Sequence, residues 1–382
     1  MNRKSKKLFK VILISILIAF IQINFLNAEE LFIPNGQNIT TSNSWVVNLA
    51  DFNGDGKLDA YFEGKIWLNE GKGNFAKTNR NFGSGIFVNF ADVNGDGLID
   101  GVSEDKLYLD DGSHHYSISF PLSSDIVMHS AVLADLDNDT DIDIISCSTT
   151  EDRILLNNGK GHFTNTGKKL GGWGQAKYAF GDINGDGFID IYVAIPHTPP
   201  PAMVHSPNKI WLSDGKKGFI ERDHDIPKAM SRSAILSDFD NDGDLDLFVA
   251  SNGDTGNLIF FNDGKGNFTN SGQKLGNNSN SAKTADFDND GDSDLFICHG
   301  EVPLGNGASN LIWLNDGKGH FTDSHLRLGN SNSAAVALGD INQDGKIDAV
   351  VVNVMLDKDN HYKAVPTPLE IWINKSLDKK GK

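Results

Sequence analysis

One nine-residue pattern recurs seven times in this 382-residue chain, and it restricts the possible folds more than any other feature. The copies read DFNGDGKLD from Asp51, DVNGDGLID from Asp92, DLDNDTDID from Asp135 and DINGDGFID from Asp182. They continue with DFDNDGDLD from Asp238, DFDNDGDSD from Asp286 and DINQDGKID from Asp340. Positions 1, 3, 5 and 9 are Asp or Asn throughout, and position 6 is Gly everywhere except at Thr140. Short oxygen-bearing side chains at alternate positions around a glycine turn converge as a hard divalent cation requires. Plain Asp-Gly turns are common, but a turn explains one or two carboxylates, not four at fixed offsets.

The expected donors are the side chains at positions 1, 3, 5 and 9 and the backbone carbonyl at position 7. In chain order they are Asp51, Asn53, Asp55, Lys57 and Asp59; Asp92, Asn94, Asp96, Leu98 and Asp100; then Asp135, Asp137, Asp139, Asp141 and Asp143. Next come Asp182, Asn184, Asp186, Phe188 and Asp190; Asp238, Asp240, Asp242, Asp244 and Asp246; and Asp286, Asp288, Asp290, Asp292 and Asp294. The last set is Asp340, Asn342, Asp344, Lys346 and Asp348. An all-oxygen set of this kind predicts calcium, up to seven ions, one per repeat. Magnesium demands a tighter octahedron, and zinc would want His or Cys, which no loop supplies. An EF-hand closes its site with Glu at position 12 between two helices. Here position 12 is Phe62, Ser103, Ser146, Val193, Val249, Ile297 or Val351, and the loops run on into β-prone apolar segments such as IDIYVA and LDLFVA. The EF-hand reading fails.

The loops begin 41 to 56 residues apart, and most are followed by a second signature, IWLNEGKGNF from Ile66 or IWLNDGKGHF from Ile312, for example. Each unit therefore reads strand, metal loop, strand, variable loop, strand, turn, strand. Four antiparallel strands at this period describe a propeller blade. The fold class expected is all-β: a seven-bladed propeller over residues 29–375, with a polar tail at 376–382. The last unit stops after its third strand, at Asn374, while LFIP at Leu31–Pro34 belongs to no unit. That segment is expected to supply the missing outer strand of the last blade and close the ring.

In these loops, and in lead-in strands such as AFGD at 179–182 and ALGD at 337–340, the chain resembles the FG-GAP/VCBS family of calcium-binding β-propellers, which includes the integrin α-subunit head. The resemblance spans roughly residues 31–375. It implies fold and metal, while function is carried by sites grafted on the fold. The integrin heads bind partners on the rim away from the metal loops, and some propellers of this family are sugar lyases or dehydratases.

Residues 1–28 combine a basic start (Arg3, Lys4, Lys6, Lys7, Lys10) with an apolar run and end at Ala28, as a secretory signal peptide does. Leu26 leaves an uncleaved membrane anchor open as the alternative. The expected location is periplasmic, cell-surface or extracellular, with no membrane span after cleavage and no nucleic-acid partner. Losing those five cations takes the formal net charge from −17 to −22, and seven divalent ions add fourteen positive charges, leaving −8. Much of the acidity is thus ligand. Cys147 and Cys298 hold the same strand position in blades three and six, too far apart to pair, so buried free thiols are expected.

Metal loops and strand-three turns share one rim. The opposite rim carries the longer connections, from His197 to Asn208 in blade four, from His299 in blade six and from Asp357 in blade seven. Six residues before each first Asp, the crossover is expected to face the central channel, at Trp45, Ile86, His129, Ala176, Arg232, Asn280 and Ala334. Candidate ligand contacts are Trp45, His129, Trp173, His197, Arg232 and His299. Trp67, Trp211, Trp313 and Trp372 recur at one repeat position and are expected in interblade core. The expectation is a monomeric, non-catalytic propeller that binds a glycan or protein. A polysaccharide lyase or dehydratase, with an acid or base from His197, His205, His299 or His361, is the alternative, as is a structural surface component.

Overall fold

The computed structural model describes residues 31–376 apart from 42–43, 83–87, 104–105, 114–115, 120–129, 149–151, 173–175, 198–205, 217, 254, 301–307 and 358–362. Its described residues form seven four-stranded antiparallel sheets and contain no helix. Blade five shows the unit plainly. An inner strand, Met230–Ser237, leads through the loop from Asp238 into a second strand, Asp246–Asn252. A third strand, Leu258–Asn262, and an outer strand, Phe268–Lys274, complete the sheet.

Second strands explain why the sequence after each loop is continuously apolar. Side chains alternate between the two faces of a strand, and in a propeller both faces meet another blade. Leu247 and Val249 join the cluster shared with blade four, whereas Phe248 and Ala250 join the cluster shared with blade six. The seven buried clusters among the described residues fall one per interface between neighbouring blades. Trp211 is buried in one of them, and Trp67, Trp313 and Trp372 pack against three others. Cys147 and Cys298 are buried and free.

The ring closes as the sequence implies. Phe32–Pro34 pairs antiparallel with Glu370–Asn374, placing Phe32 opposite Asn374 and Pro34 opposite Trp372. The blade-one connection after Phe62 is a two-residue turn with φ of 51° at Glu63 and 72° at Gly64, the double left-handed geometry that suits a tight hairpin. The blade-seven insertion departs from the irregular loop expected. Met355–Asp357 pairs with Lys363–Val365 as a hairpin, and Thr367–Pro368 pairs with Thr40–Thr41 near the chain's start. Two three-residue strands, MLD and KAV, do not stand out in a segment that also carries two prolines.

Candidate metal loops and the central channel

The seven loops share one hydrogen-bonded frame. The first Asp turns back on its own loop, and its Oδ2 accepts the N–H of position 6. The distance is 2.7 Å at Asp51, Asp92 and Asp340, 2.8 Å at Asp182, 2.9 Å at Asp135 and Asp286, and 3.0 Å at Asp238. Position 6 is left-handed in every loop, with φ from 74° at Thr140 to 97° at Gly291. Thr140 therefore holds a β-branched side chain in a region that disfavours it. Position 4 is left-handed too, from 57° at Asn289 to 77° at Gly95. The sequence carries that signal as Gly or Asn in six copies and Gln343 in the seventh.

Position 9 has a role the spacing alone does not reveal. All seven carboxylates there are 0 % exposed. In blade five, Asp246 Oδ2 accepts the Phe239 N–H at 3.0 Å and Oδ1 accepts the Asn262 N–H at 2.9 Å. The same pair of bonds, one to position 2 and one to the end of the third strand, recurs at Asp59, Asp100, Asp143, Asp190, Asp294 and Asp348. This carboxylate ties the loop to the neighbouring turn. Burial pushes it up against those bonds, to about 6 at Asp59, Asp100, Asp190, Asp246 and Asp348 and about 7 at Asp143 and Asp294.

An Asn at the end of the third strand ties adjacent blades in five of the seven. Asn262 Nδ2 donates to the carbonyls of Ile183 in blade four (2.8 Å) and Leu245 (3.1 Å). Asn69, Asn157, Asn315 and Asn374 reach the corresponding carbonyls of the preceding blade, at Ile341, Val93, Phe239 and Phe287. Blades two and four carry Asp110 and Ser213 there instead. At blade one, Arg80 donates to the Phe52 carbonyl (3.1 Å) that an Asn at 110 would have taken. These asparagines stand in the third-strand signature, which reads as turn chemistry when no partner is visible.

Three loops gather acidic oxygens closely enough to hold a cation. Asp135, Asp137 and Asp143; Asp238, Asp240 and Asp246; and Asp286, Asp288 and Asp290 each place one oxygen within 4.8 Å of the others. These are the loops with Asp at all five odd positions; the other four have Asn at position 3, whose neutral amide oxygen replaces a carboxylate. Asp240 Oδ1 is buried and accepts no hydrogen bond, so an oxygen-seeking ion fits this donor set.

The inner strands surround a cavity of about 530 Å³ on the ring axis, lined from all seven blades. Trp45, Ala176, Arg232, Asn280 and Ala334 lie on its wall. In blades five, six and seven the position is a bulge: the ladder steps from Ser231 to Ser233, Ser279 to Ser281 and Ser333 to Ala335. A bulge re-aims the extra residue, here Arg232, Asn280 and Ala334. Trp45 is 38 % exposed. Of the other candidate contacts, His197 is buried at 5 % exposure and His299 ends a second strand; neither lines the cavity. The loop position expected to present His197 instead packs it away, and two residues earlier the Ile195 N–H donates to Asn208 Oδ1 (2.9 Å). His129 and Trp173, with Ile86, His205, His361 and residues 1–28, fall outside the described residues.

The family model for FG-GAP-like repeats matches residues 135–193, 238–297 and 286–351. The chain is a seven-bladed propeller that carries FG-GAP-like repeats. Each matched stretch of this FG-GAP-like chain begins on one of the three Asp-rich loops, and the remaining blades repeat the same hydrogen-bonded frame. A solved complex of BBS1N with ARL6DN is similar over 91% of this chain and 97% of that one, at 11% identity and a TM-score of 0.56. That likeness shows the fold. An Agrocybe aegerita protein whose structure addresses recognition of non-reducing terminal N-acetylglucosamine is 19% identical, covering 76% of this chain and 81% of that one, with a TM-score of 0.49. The V. cholerae biofilm matrix protein Bap1 matches at 19% identity over 85% of this chain and 45% of that one, with a TM-score of 0.36. No curated protein matches by sequence.

Proposed function

We propose that this FG-GAP-like propeller is an exported, monomeric, non-catalytic binding protein whose loops hold calcium and whose opposite rim takes a glycan or protein. The observation that carries the reading is the asymmetry between the rims. One rim is occupied by seven acidic loops that brace one another. Gln343 donates to the Gly56 carbonyl (3.0 Å), Asn138 to that of Gly187 (2.9 Å) and Asn241 to Asp292 (2.9 Å). Toward the other rim, bulges turn Arg232 and Asn280 off the ladder, and Trp45 is left open. Calcium would supply charge neutralisation where carboxylates crowd. Export fits loops of this kind, which fill at the calcium levels of external fluids, and the basic-then-apolar start of the chain supports it.

A glycan array and a pull-down from the surrounding medium test the reading, using calcium-loaded protein with Trp45→Ala and Arg232→Ala beside the parent. Retention by the parent and its loss in both variants is expected. A partner retained equally by all three would move the contact off this face, and no partner at all would end the binding reading.

A further inference from the structure

The channel wall carries an electrostatic pattern that the metal loops do not explain. Three cations, Lys177, Arg232 and Lys283, stand on the inner strands of blades four, five and six, and all line the cavity. No Asp or Glu is among the described residues lining it, although acids outnumber bases by 17 in the chain. Among the described residues, none of the three has an ion-pair partner. Arg232 Nε is buried with no hydrogen-bond partner, and its Nη2 meets only the Met230 sulfur at 3.8 Å. Lys177 and Lys283 are exposed to the channel and Arg232 is half-buried; like charges gathered around one space with no counter-charge among the described lining repel one another, so the arrangement favours an anion from outside.

Register sets the spacing of these charges. Arg232, Lys177 and Lys283 lie six, five and three residues before the first Asp of their loops. At about 3.3 Å per residue they spread over roughly 10 Å of the axis, which suits negative groups repeated along a chain better than a single ion. Neutral polar groups, including Ser130, Ser233, Ser281 and Thr284, fill the wall between them and offer hydroxyls for a polyhydroxylated ligand. Trp45, in the wall of blade one, supplies a face for a sugar ring. A cavity of about 530 Å³ has the size of a small-molecule site.

We propose that the channel binds an acidic oligosaccharide, with its carboxylates or sulfates held by Lys177, Arg232 and Lys283. The inference rests on the binding reading above and narrows its ligand.

The test is calorimetry on the full, calcium-loaded protein with trigalacturonate, a sulfated disaccharide, a neutral galactotriose, an acidic hexapeptide and inorganic sulfate. The acidic saccharides are expected to bind, one source tighter than the other, and to weaken as sodium chloride rises. Arg232→Gln and Lys283→Gln should each lose about tenfold in affinity. Both variants should melt no lower than the parent, because each removes a repelling charge, so a loss of binding would not be a loss of fold. Equal affinity for the neutral galactotriose, tighter binding of the hexapeptide, sulfate binding as tightly as the saccharides, or unchanged affinity in both variants would each overturn the proposal. A neutral glycan or a protein retained by the parent, with no acidic preference, would sink this inference alone; retention of nothing would sink the binding reading with it.

Discussion

At the scale of single residues, the loops contain two kinds of carboxylate that look identical in sequence. Asp238 and Asp240 face the space where an oxygen-seeking ion fits, whereas Asp246, which adds an oxygen to the same group, is fully buried and also accepts a backbone N–H on each oxygen. Spacing shows that an Asp is at a ligand offset; it does not show which way the carboxylate turns, so the tie at position 9 stayed hidden. The tie has a pH consequence. The seven buried carboxylates have folded values of about 6 to 7 against 3.8 when unfolded. Between those limits the folded chain binds more protons than the unfolded one, so the stability of metal-free protein falls as pH rises through that window. Melts in chelator are expected to be higher near pH 5 than near pH 7.5, and the gain on adding calcium should be larger at the higher pH. A metal-free melting temperature that climbs from pH 5 to pH 7.5 would refute this.

Between elements, stability depends on ties that cross blade interfaces as well as on apolar burial. Asn262 illustrates the former, since its two donated bonds hold the preceding loop's Ile183 carbonyl and its own Leu245 carbonyl. Asn262→Ala leaves those buried acceptors unpaired and should cost about 1–3 kcal/mol, read as a lower denaturation midpoint with calcium present. Ser213 stands where most blades have Asn, at the interface between blades three and four. Ser213→Asn should therefore raise the midpoint; a fall would show that the interface has no room for the tie. The apolar half of this architecture was plainly legible, because short apolar runs such as LFVA, bounded by glycine-rich loops and repeated once per unit, read as strands buried on both faces. The blade-seven hairpin of Met355–Asp357 and Lys363–Val365 was not, since its strands are only three residues each and show no period-two pattern, and the Thr367–Pro368 pairing beside it depends on Thr40–Thr41 near the chain's start. The bulges at Arg232 and Asn280 were legible only as a position, not as a geometry.

For the molecule as a whole, closure rests on a three-residue strand. Phe32 is buried, meets Phe287 edge-on at 5.6 Å between ring centres, and joins the cluster between blades six and seven. Just behind it, the Lys375 N–H donates to the Leu31 carbonyl (2.7 Å), so both ends of the described chain meet at one seam. Bound calcium and the seam would act on the same ring from different sides: ions would relieve repulsion at the acidic loops they fill, while the strand prevents the seventh blade from exposing an edge. Phe32→Ala should cost about 3–5 kcal/mol through the cavity it leaves. Its effect and that of chelation should be close to additive if the seam and the loops are energetically independent, because the strand lies on the outer edge of blade seven and the acidic loops on one rim. Melting the parent and Phe32→Ala, each with calcium and with chelator, separates the two contributions. A chelator effect much smaller in the variant than in the parent would mean that the ring opens at the seam first and that the loops hold only a closed ring. A parent melt unchanged by chelator would remove the metal from the account of stability altogether.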